Sequence, residues 1–406
     1  MHTINGKRNV SLWYPVPLAM IDQVFVNGKT WVMAQAARFV SPEWLPWASA
    51  LITIGVIMAA APVIMMYLTW LERKVIARMQ NRLGPTRVGT FGLLQPIADG
   101  IKMLTKEDIV PTGADGLLHG LAPMLAVIPA LLMFAVLPFG RHMIATDLNV
   151  GLLMFLAVSS VGSLALFTGG WASRNKFSLI GAMRSGAQLI SSELPLVLSA
   201  VLPVMATGSL STVRIVEAQG GWGGMQWFLF TPWGFVGFII FFIAGVAEVN
   251  RTPFDIPEAE SEIVAGFHTE YSGMKFALFY MGEFLATFAI SGLAVTLFLG
   301  GWQGPAWLPL PSWLWFLLKT YTLVFVMIWL RATFPRLRVD QLMGLAWKFL
   351  LPMALVDVLA IGLWYFLPFP LGTLASTALL VLAAWALIKL NAPARLAPRH
   401  YRYAES

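Results

Sequence analysis

The sequence predicts an all-α, polytopic membrane protein with about nine transmembrane helices and one further amphipathic helix lying in the interface. Three observations carry that reading. Of 406 residues, 58% are hydrophobic and only 12% charged, against roughly 25% charged in soluble domains. Windows of about 20 mostly apolar residues, the length needed to cross ~30 Å of hydrocarbon, recur along the chain. Lysine and arginine collect in alternate connecting segments.

The windows fall at approximately 47–71, 117–139, 149–170, 187–207, 231–248, 273–299, 312–331, 342–367 and 371–390. Residues 1–46 hold only a short apolar patch, Ile21 to Val26, with no small-residue cleavage site after it, and read as an N-terminal extension outside the membrane. If the first span starts outside, segments 72–116, 171–186, 249–272, 332–341 and 391–406 face the cytoplasm. The first of these carries Arg73, Lys74, Arg78, Arg82, Arg87, Lys102 and Lys106, whereas the opposite loops between spans offer little beyond Arg141 and Arg214. Prolines inside the windows, such as Pro62, Pro195 and Pro203, suit membrane helices whose neighbours re-satisfy the backbone.

Composition also excludes chemistry. With no cysteine, the chain has no disulfide framework, no thiolate metal site and no cysteine-ligated iron–sulfur cluster of its own. Any redox centre must therefore sit in a partner. The five histidines, at 2, 119, 142, 268 and 400, lack the i, i+4 pairing of a helical metal site, and no metal is expected. A net charge of +7 would suit nucleic acid, but a mean hydropathy of +0.73 and basic residues gathered between apolar runs point to membrane topology.

Two cytoplasmic segments are richer than connectors need to be. From Glu72 to Gly89 the chain is dense in arginine and ends in Gly-Pro and Val-Gly turns, which predicts a bent segment just under the membrane surface. Topological anchoring suffices for Lys74 and Arg87. Arg82 stands between Asn81 and a Gly-Pro turn, where a guanidinium is able to position a polar ligand head. From Phe91 onward Leu94, Ile97, Ala98, Ile101 and Leu104 form an apolar face, and Gln95, Asp99, Lys102 and Lys106 recur at i, i+4, i+7 and i+11, the pattern of an interfacial helix.

The second segment, 248–271, holds Glu248, Asp255, Glu258, Glu260, Glu262 and Glu270, six of the chain's twenty acids. Pro257 is placed as a first helical residue, with Glu258 to Glu262 favouring the positive helix end. Glu258 and Glu262 would then repel at i, i+4, which implies bulk water, a basic partner or shared protons. Within the apolar windows Glu193 and Glu283 are candidates for function, since an intramembrane charge costs about 2.5 to 3.5 kcal/mol. Lys319 and Asp357 are also intramembrane and would be able to pair. The pattern of Glu193, Glu248 and Glu283 near the acidic loop is that of a carboxyl chain for moving protons.

The segments ERK with QNRLGP, then VGTFGLLQPIADGIKMLTKE, then AEVNRTPFDIPEAESEIVAGFHTEYSGMKFALFYMGEF, and finally RATFPRLRVDQLMGLAWKFLLP closely resemble the H subunit of the bacterial proton-pumping NADH:quinone oxidoreductase, equivalent to mitochondrial complex I subunit 1. The resemblance covers residues 47–367 and implies a quinone-chamber membrane domain there. Residues 1–46, and residues 368–406 with a ninth span and a basic cytoplasmic tail, lie outside it. It implies quinone as substrate with nothing covalently bound, and FMN and iron–sulfur clusters in partner subunits. Implied partners are the peripheral-arm quinone-site subunits and the small and antiporter-like membrane subunits, in the bacterial inner (plasma) membrane, with no NADH site in this chain. By motif, Arg82 resembles the arginine at the chamber entrance, with Asp99 and Lys102 beside it. Glu248, Asp255, Glu258, Glu260 and Glu262 resemble the acidic loop beneath the chamber, Arg251 a balancing charge, and Glu193 and Glu283 the carboxyls continuing into the membrane. The alternative is the related membrane-anchor subunit of a membrane-bound hydrogenase, which lacks quinone chemistry. A free-standing transporter would show internal repeats, and none stands out.

Overall fold

The structure, a computed structural model, describes residues 22–38, 41–258, 260–308 and 310–391. Among them, eight helices are long and apolar enough to cross a membrane. In chain order the helices are α1 (Val24–Ala36), α2 (Leu45–Met79), α3 (Gln95–Thr105), α4 (Gly116–Met133), α5 (Gly151–Ala172), α6 (Lys176–Thr207), α7 (Thr212–Ala218), α8 (Pro232–Glu248), α9 (Gly273–Phe298), α10 (Ser312–Thr333), α11 (Val339–Phe366) and α12 (Leu371–Asn391). All nine sequence windows are helical. The one at α8 is the shorter apolar helix, 17 residues or about 25 Å.

Local chemistry sets many ends. Asp115 caps α4 by accepting from the amides of Leu117 and Leu118 at 3.2 and 3.3 Å, Asn175 caps α6, and Thr231 caps α8 ahead of Pro232. Gly208 closes α6 at φ +65°. In α11 the five residues Ala346–Leu350 form a π-turn. Pro352 has no N–H to return to the Lys348 carbonyl four residues earlier, and Asn391 Nδ2 donates to that carbonyl instead (3.0 Å).

Several expected boundaries shift, two of them because helices continue past the apolar windows. The arginine-rich stretch expected to bend from Glu72 remains helical to Met79, and the turn begins at Gln80. Residues 176–186, expected as part of a cytoplasmic loop, are the first three turns of α6. The span expected to reach 139 ends at Met133. The acidic segment departs most: Pro257 and Glu258 lie in a turn, and a single helical turn starts only at Glu260 and ends at Ile263. Glu258 and Glu262 therefore do not share a helix face. The interfacial helix forms as expected, with Pro96 in its first turn.

The core is organised around α9. Its apolar window is 83% buried, against 11% for α2, and Phe284, Leu285, Phe288, Ile290 and Leu293 stand in one continuous apolar cluster with Phe134, Phe155, Phe241 and Phe316 from four other helices. Where helices approach α9 most closely, glycine makes room: a Cβ on Gly282 would lie 2.8 Å from the Ala126 carbonyl of α4. Residues 249–272 fold back over one end of this bundle. Ser178 Oγ donates to the Phe267 carbonyl (2.9 Å) and Gln188 Nε2 to the Ala247 carbonyl (2.8 Å), so α6 holds both edges of the segment.

Gly266 is the pivot of that fold-back. It sits at φ +60°, and a Cβ there would stand 1.7 Å from the Pro257 carbonyl oxygen. Gly266→Ala should lower the thermal stability of the purified chain by more than the ~1–2 kcal/mol of a left-handed non-glycine residue alone. Gly186→Ala, in a helix with no neighbour within 4 Å of the added carbon, should be neutral or slightly stabilising. Equal unfolding temperatures for the two variants would refute the assignment.

Candidate functional site

Four side chains from four separate elements meet at the end of the bundle covered by residues 249–272. Glu72 comes from the inner end of α2, Arg251 from the segment after α8, Glu283 from α9 and Arg331 from the last turn of α10. Arg251 Nη1 donates to both Glu72 carboxylate oxygens at 3.1 and 2.9 Å. Its Nε is ion-paired with Glu283 Oε1 at 2.9 Å, and Arg331 donates to Glu72 Oε1. The Arg251 guanidinium also lies over the Phe284 ring, 4.1 Å from its centroid. Two guanidinium groups thus face two carboxylates. Arg251 is buried; burial works against its charge, but Glu283 and Glu72 together hold its pKa above the usual arginine value.

Beside this cluster is a cavity of about 90 Å³ whose lining includes Glu248, Glu258, His268, Tyr280 and Glu283, Ser159 and Ser163 of α5, and a majority of apolar side chains such as Met133, Leu189 and Phe279. Such a space admits several waters. One Glu248 oxygen is buried without a hydrogen-bond partner among the described residues, and its carboxyl lies beside Ser192 and within electrostatic reach of Glu193. Glu258 Oε1 is 3.6 Å from His268 Nδ1. Burial, reinforced by the neighbouring Glu283 and Asp255 carboxyls, pushes Glu258 well above the usual carboxylate range. Burial also holds His268 down at about 4. An imidazole that burial keeps from taking a proton therefore faces a carboxyl that burial and neighbouring acids make harder to ionise. Asp255 accepts from Arg336 Nη2 at 3.0 Å; burial pushes its carboxyl up even against that guanidinium and those of Arg331 and Arg251.

The remaining expected residues lie apart from the cavity. Glu262 is paired with Arg184, and the side chain of Glu260 lies outside the described ones. Glu193 stands on α6 near Glu248 but does not line the cavity. On the membrane surface, Arg73 binds Asp99, which Gln95 also reaches at 3.2 Å, and Lys102 follows at 3.7 Å. Burial raises the Asp99 carboxyl, but the hydrogen bond and charge of Arg73 outweigh it and hold the group below the usual carboxylate range. Arg82 is exposed, its Nε donating to Gln80 Oε1 at 2.7 Å. Lys319 and Asp357 do not pair. Lys319 Nζ donates to the carbonyls of Leu299 (2.6 Å) and Gly301 (3.1 Å) at the opposite end of the bundle, whereas Asp357 faces Gly237 of α8.

Sequence reasoning missed Glu72 and Arg331 as site residues, because each reads as a charge anchoring the end of a span. It also passed over His268 and Tyr280. The only available signal was position: both Glu72 and Arg331 stand at the edge of an apolar window, on the same side as the acidic loop.

An all-α bundle that gathers buried carboxyls, balancing arginines and a small cavity set with carboxyls in an apolar wall at one membrane face is a polytopic membrane protein built around titratable groups. Residues 52–362 match the family described as NADH dehydrogenase, and the chain belongs to that family. It is 51% identical over 312 residues to the NADH-quinone oxidoreductase H subunit of Dehalococcoides mccartyi strain CBDB1, covering 77% of this chain and 86% of the relative. It is 51% identical over 332 residues to an H subunit of the same name from Geobacter metallireducens, covering 79% and 98%, and 47% identical over 336 residues to that of Geobacillus kaustophilus, covering 80% and 99%.

His268 makes a testable contribution to pH dependence. Folded, it takes a proton only near pH 4, whereas an unfolded histidine does so near 6.5. The unfolded chain therefore gains the proton first, and stability is lost as pH falls through this window, by an amount of order 3 kcal/mol. Asp255 and Glu258 act with the opposite sign, since the folded chain protonates them first. Thermal unfolding of His268→Asn against the parent at pH values from about 7 to 4.5 isolates the histidine: the variant should lose less stability on acidification. Parallel curves would contradict the burial argument.

Proposed function

We propose that this chain is a membrane subunit of a proton-pumping NADH:quinone oxidoreductase, that residues 47–367 form the membrane side of its quinone chamber, and that it couples quinone reduction to proton translocation. The observation that carries this reading is the shared cavity: Glu248, Glu258 and Glu283 meet there, and Arg251 links Glu283 onward to Glu72. At about 90 Å³ it suits waters rather than a quinone ring, since small-molecule sites run to roughly 300 Å³ or more. The chamber that holds the quinone head is accordingly completed by peripheral-arm subunits docking on residues 72–116 and 249–272. With no cysteine in the chain, the electrons arrive from NADH through FMN and iron–sulfur clusters in those partners. The complex sits in a bacterial inner membrane, where small and antiporter-like membrane subunits adjoin this one.

Reduction of a quinone to quinol takes up two electrons and two protons, so charge changes in the chamber. Arg251 is shared between Glu283 and Glu72. A proton added to Glu283 weakens that half of the bridge and leaves the guanidinium to Glu72 and Phe284. Glu258 and Glu248 then supply or accept protons through waters in the cavity, and Glu193 extends the carboxyl series along α6, with Asp255, Glu260 and Glu262 as the loop's further acids. On the membrane surface Arg82, Asp99 and Lys102 form the polar lip that receives the quinone head from lipid. Residues 1–46 and 368–406 are additions to this domain.

Glu248→Gln and Glu283→Gln keep size and hydrogen bonding but abolish titration. In assembled complex reconstituted in proteoliposomes, each should lower quinone reductase activity and coupled proton uptake about tenfold or more, with normal assembly. Full coupled activity in both would reduce the carboxyls to structural groups.

Arg82→Ala should impair quinone reduction while electron transfer from NADH to a hydrophilic artificial acceptor stays nearly intact. Equal loss of both activities in assembled complex would remove Arg82 from the quinone path.

A further inference from the structure

The end of the bundle opposite the charged cluster carries an element that the family match, residues 52–362, does not include. Helix α1 is tied there by three contacts. Asp22 accepts from the Ser312 amide at the start of α10, Phe25 stacks edge-on against Trp313 with centroids 5.6 Å apart, and Lys29 Nζ donates to Thr53 Oγ1 of α2 at 2.8 Å. Thr53 and Glu72 are 19 residues apart on one helix, about 29 Å along its axis, which is the thickness of the hydrocarbon. Helix α1 therefore meets α2 at one boundary of the slab while Glu72 marks the other.

At that boundary the exposed side chains are aromatic and aliphatic. Trp31, Trp44 and Trp47 are 65%, 62% and 67% exposed, and Val24, Phe25 and Val32 are exposed with them. The arrangement is sided. Val24, Trp31 and Val32 recur at i, i+7 and i+8, whereas the exposed polar residues Gln23, Asn27 and Thr30 recur at i, i+4 and i+7 on a different arc, and Lys29 and Met33 turn toward the protein. A helix with one apolar and one polar exposed arc, tied to the end of a span, has the form of an interfacial helix. Tryptophan prefers that depth, where its ring is in the headgroup region and its N–H is wet. Trp70, near the other end of α2, donates to the Phe91 carbonyl of the interfacial segment at 3.2 Å, and it stands 23 residues, about 35 Å, from Trp47.

We propose that α1 and the first turns of α2 form an aromatic anchor lying in the headgroup layer of the leaflet opposite the charged cluster, and that this anchor sets the depth of α2. The occupant of the exposed arc is lipid of that leaflet. The turns of α2 ahead of Ala61 hold no buried residue, so protein contacts leave the immersion of that half weakly determined, and anchoring aromatics at the interface then decide it. The depth matters because the far end of the same helix delivers Glu72 to Arg251 and Arg331.

The absence of native cysteine allows a direct test on the full chain in phosphatidylcholine vesicles. Nitroxides are placed singly at Val24→Cys, Val32→Cys, Asn27→Cys and Thr30→Cys, and their collisions with oxygen, which partitions into lipid, and with a water-soluble nickel chelate are compared. The oxygen-to-nickel ratio should be several-fold higher at 24 and 32 than at 27 and 30. A uniformly low ratio at all four would place the helix in water. Labels at 24 and 32 shielded from both reagents would mean that protein, whether residues 1–21 or a second copy, covers the arc, and either result overturns the proposal. With Trp31, Trp44 and Trp47 replaced together by Ser, a label at Leu51→Cys should change depth; an unchanged depth would leave α2 positioned by other means.

Discussion

The bridge from Glu72 through Arg251 to Glu283, closed by Arg331, is the constraint around which the rest of this molecule is arranged. Ions cost several kcal/mol each to take out of water, and their attraction offsets that only when geometry and hydrogen bonding are good. Here the planar fork of one arginine meets two carboxylates and an aromatic face, a task that the point charge of a lysine would not perform. The four partners lie on α2, residues 249–272, α9 and α10. Removing Arg251 strands the Glu283 carboxylate and takes from Glu72 the partner that meets both its oxygens, and breaking a buried pair of this kind costs roughly 3–5 kcal/mol. Helix positions and loop path at this end of the bundle are therefore mutually determined.

That requirement explains why the loop is pinned so heavily. Gly266 lets its backbone pass against the Pro257 carbonyl, Ser178 holds Phe267, Gln188 holds the turn after α8 through Ala247 and Asn250, and Asn175 reaches Glu270 at 2.6 Å. Three of these anchoring residues lie on α6 or its cap, which makes that helix the frame of the segment. Behind it, α9 supplies a nearly fully buried apolar spine. The carboxyl of Glu283 is thus mounted on the most deeply packed helix, while its partner Arg251 is mounted on a segment held at its edges.

Neutral and charged groups are segregated around the arginine. On one side Arg251 and Arg331 with Glu72 enclose a void of about 10 Å³, room for a single water at most. On the other, the larger cavity carries carboxyls in excess of the basic groups facing it, and burial raises the Glu258 carboxyl well above its usual range while lowering His268. In the proposed function, this fixed salt bridge beside a group of buried carboxyls is what would link a change of charge on one side to proton occupancy on the other.

The sequence by itself determined the spans and the amphipathic helix, because hydrocarbon thickness and a 3.6-residue period act locally along the chain. It also marked Glu193 and Glu283 as acids at unusual depth, and the segment from Glu248 as unusually acidic. Only the tertiary structure decided which acids meet. Glu72 joins Arg251 across 179 positions and Arg331 across 259, while Glu262, four residues from Glu258, turns away to Arg184. Lys319 and Asp357, both intramembrane, go to different neighbours. Periodicity fixes which side of a helix is apolar, but the pairing of charges depends on how separate helices are rotated and staggered against one another, and that is set by packing around α9, which no local pattern records.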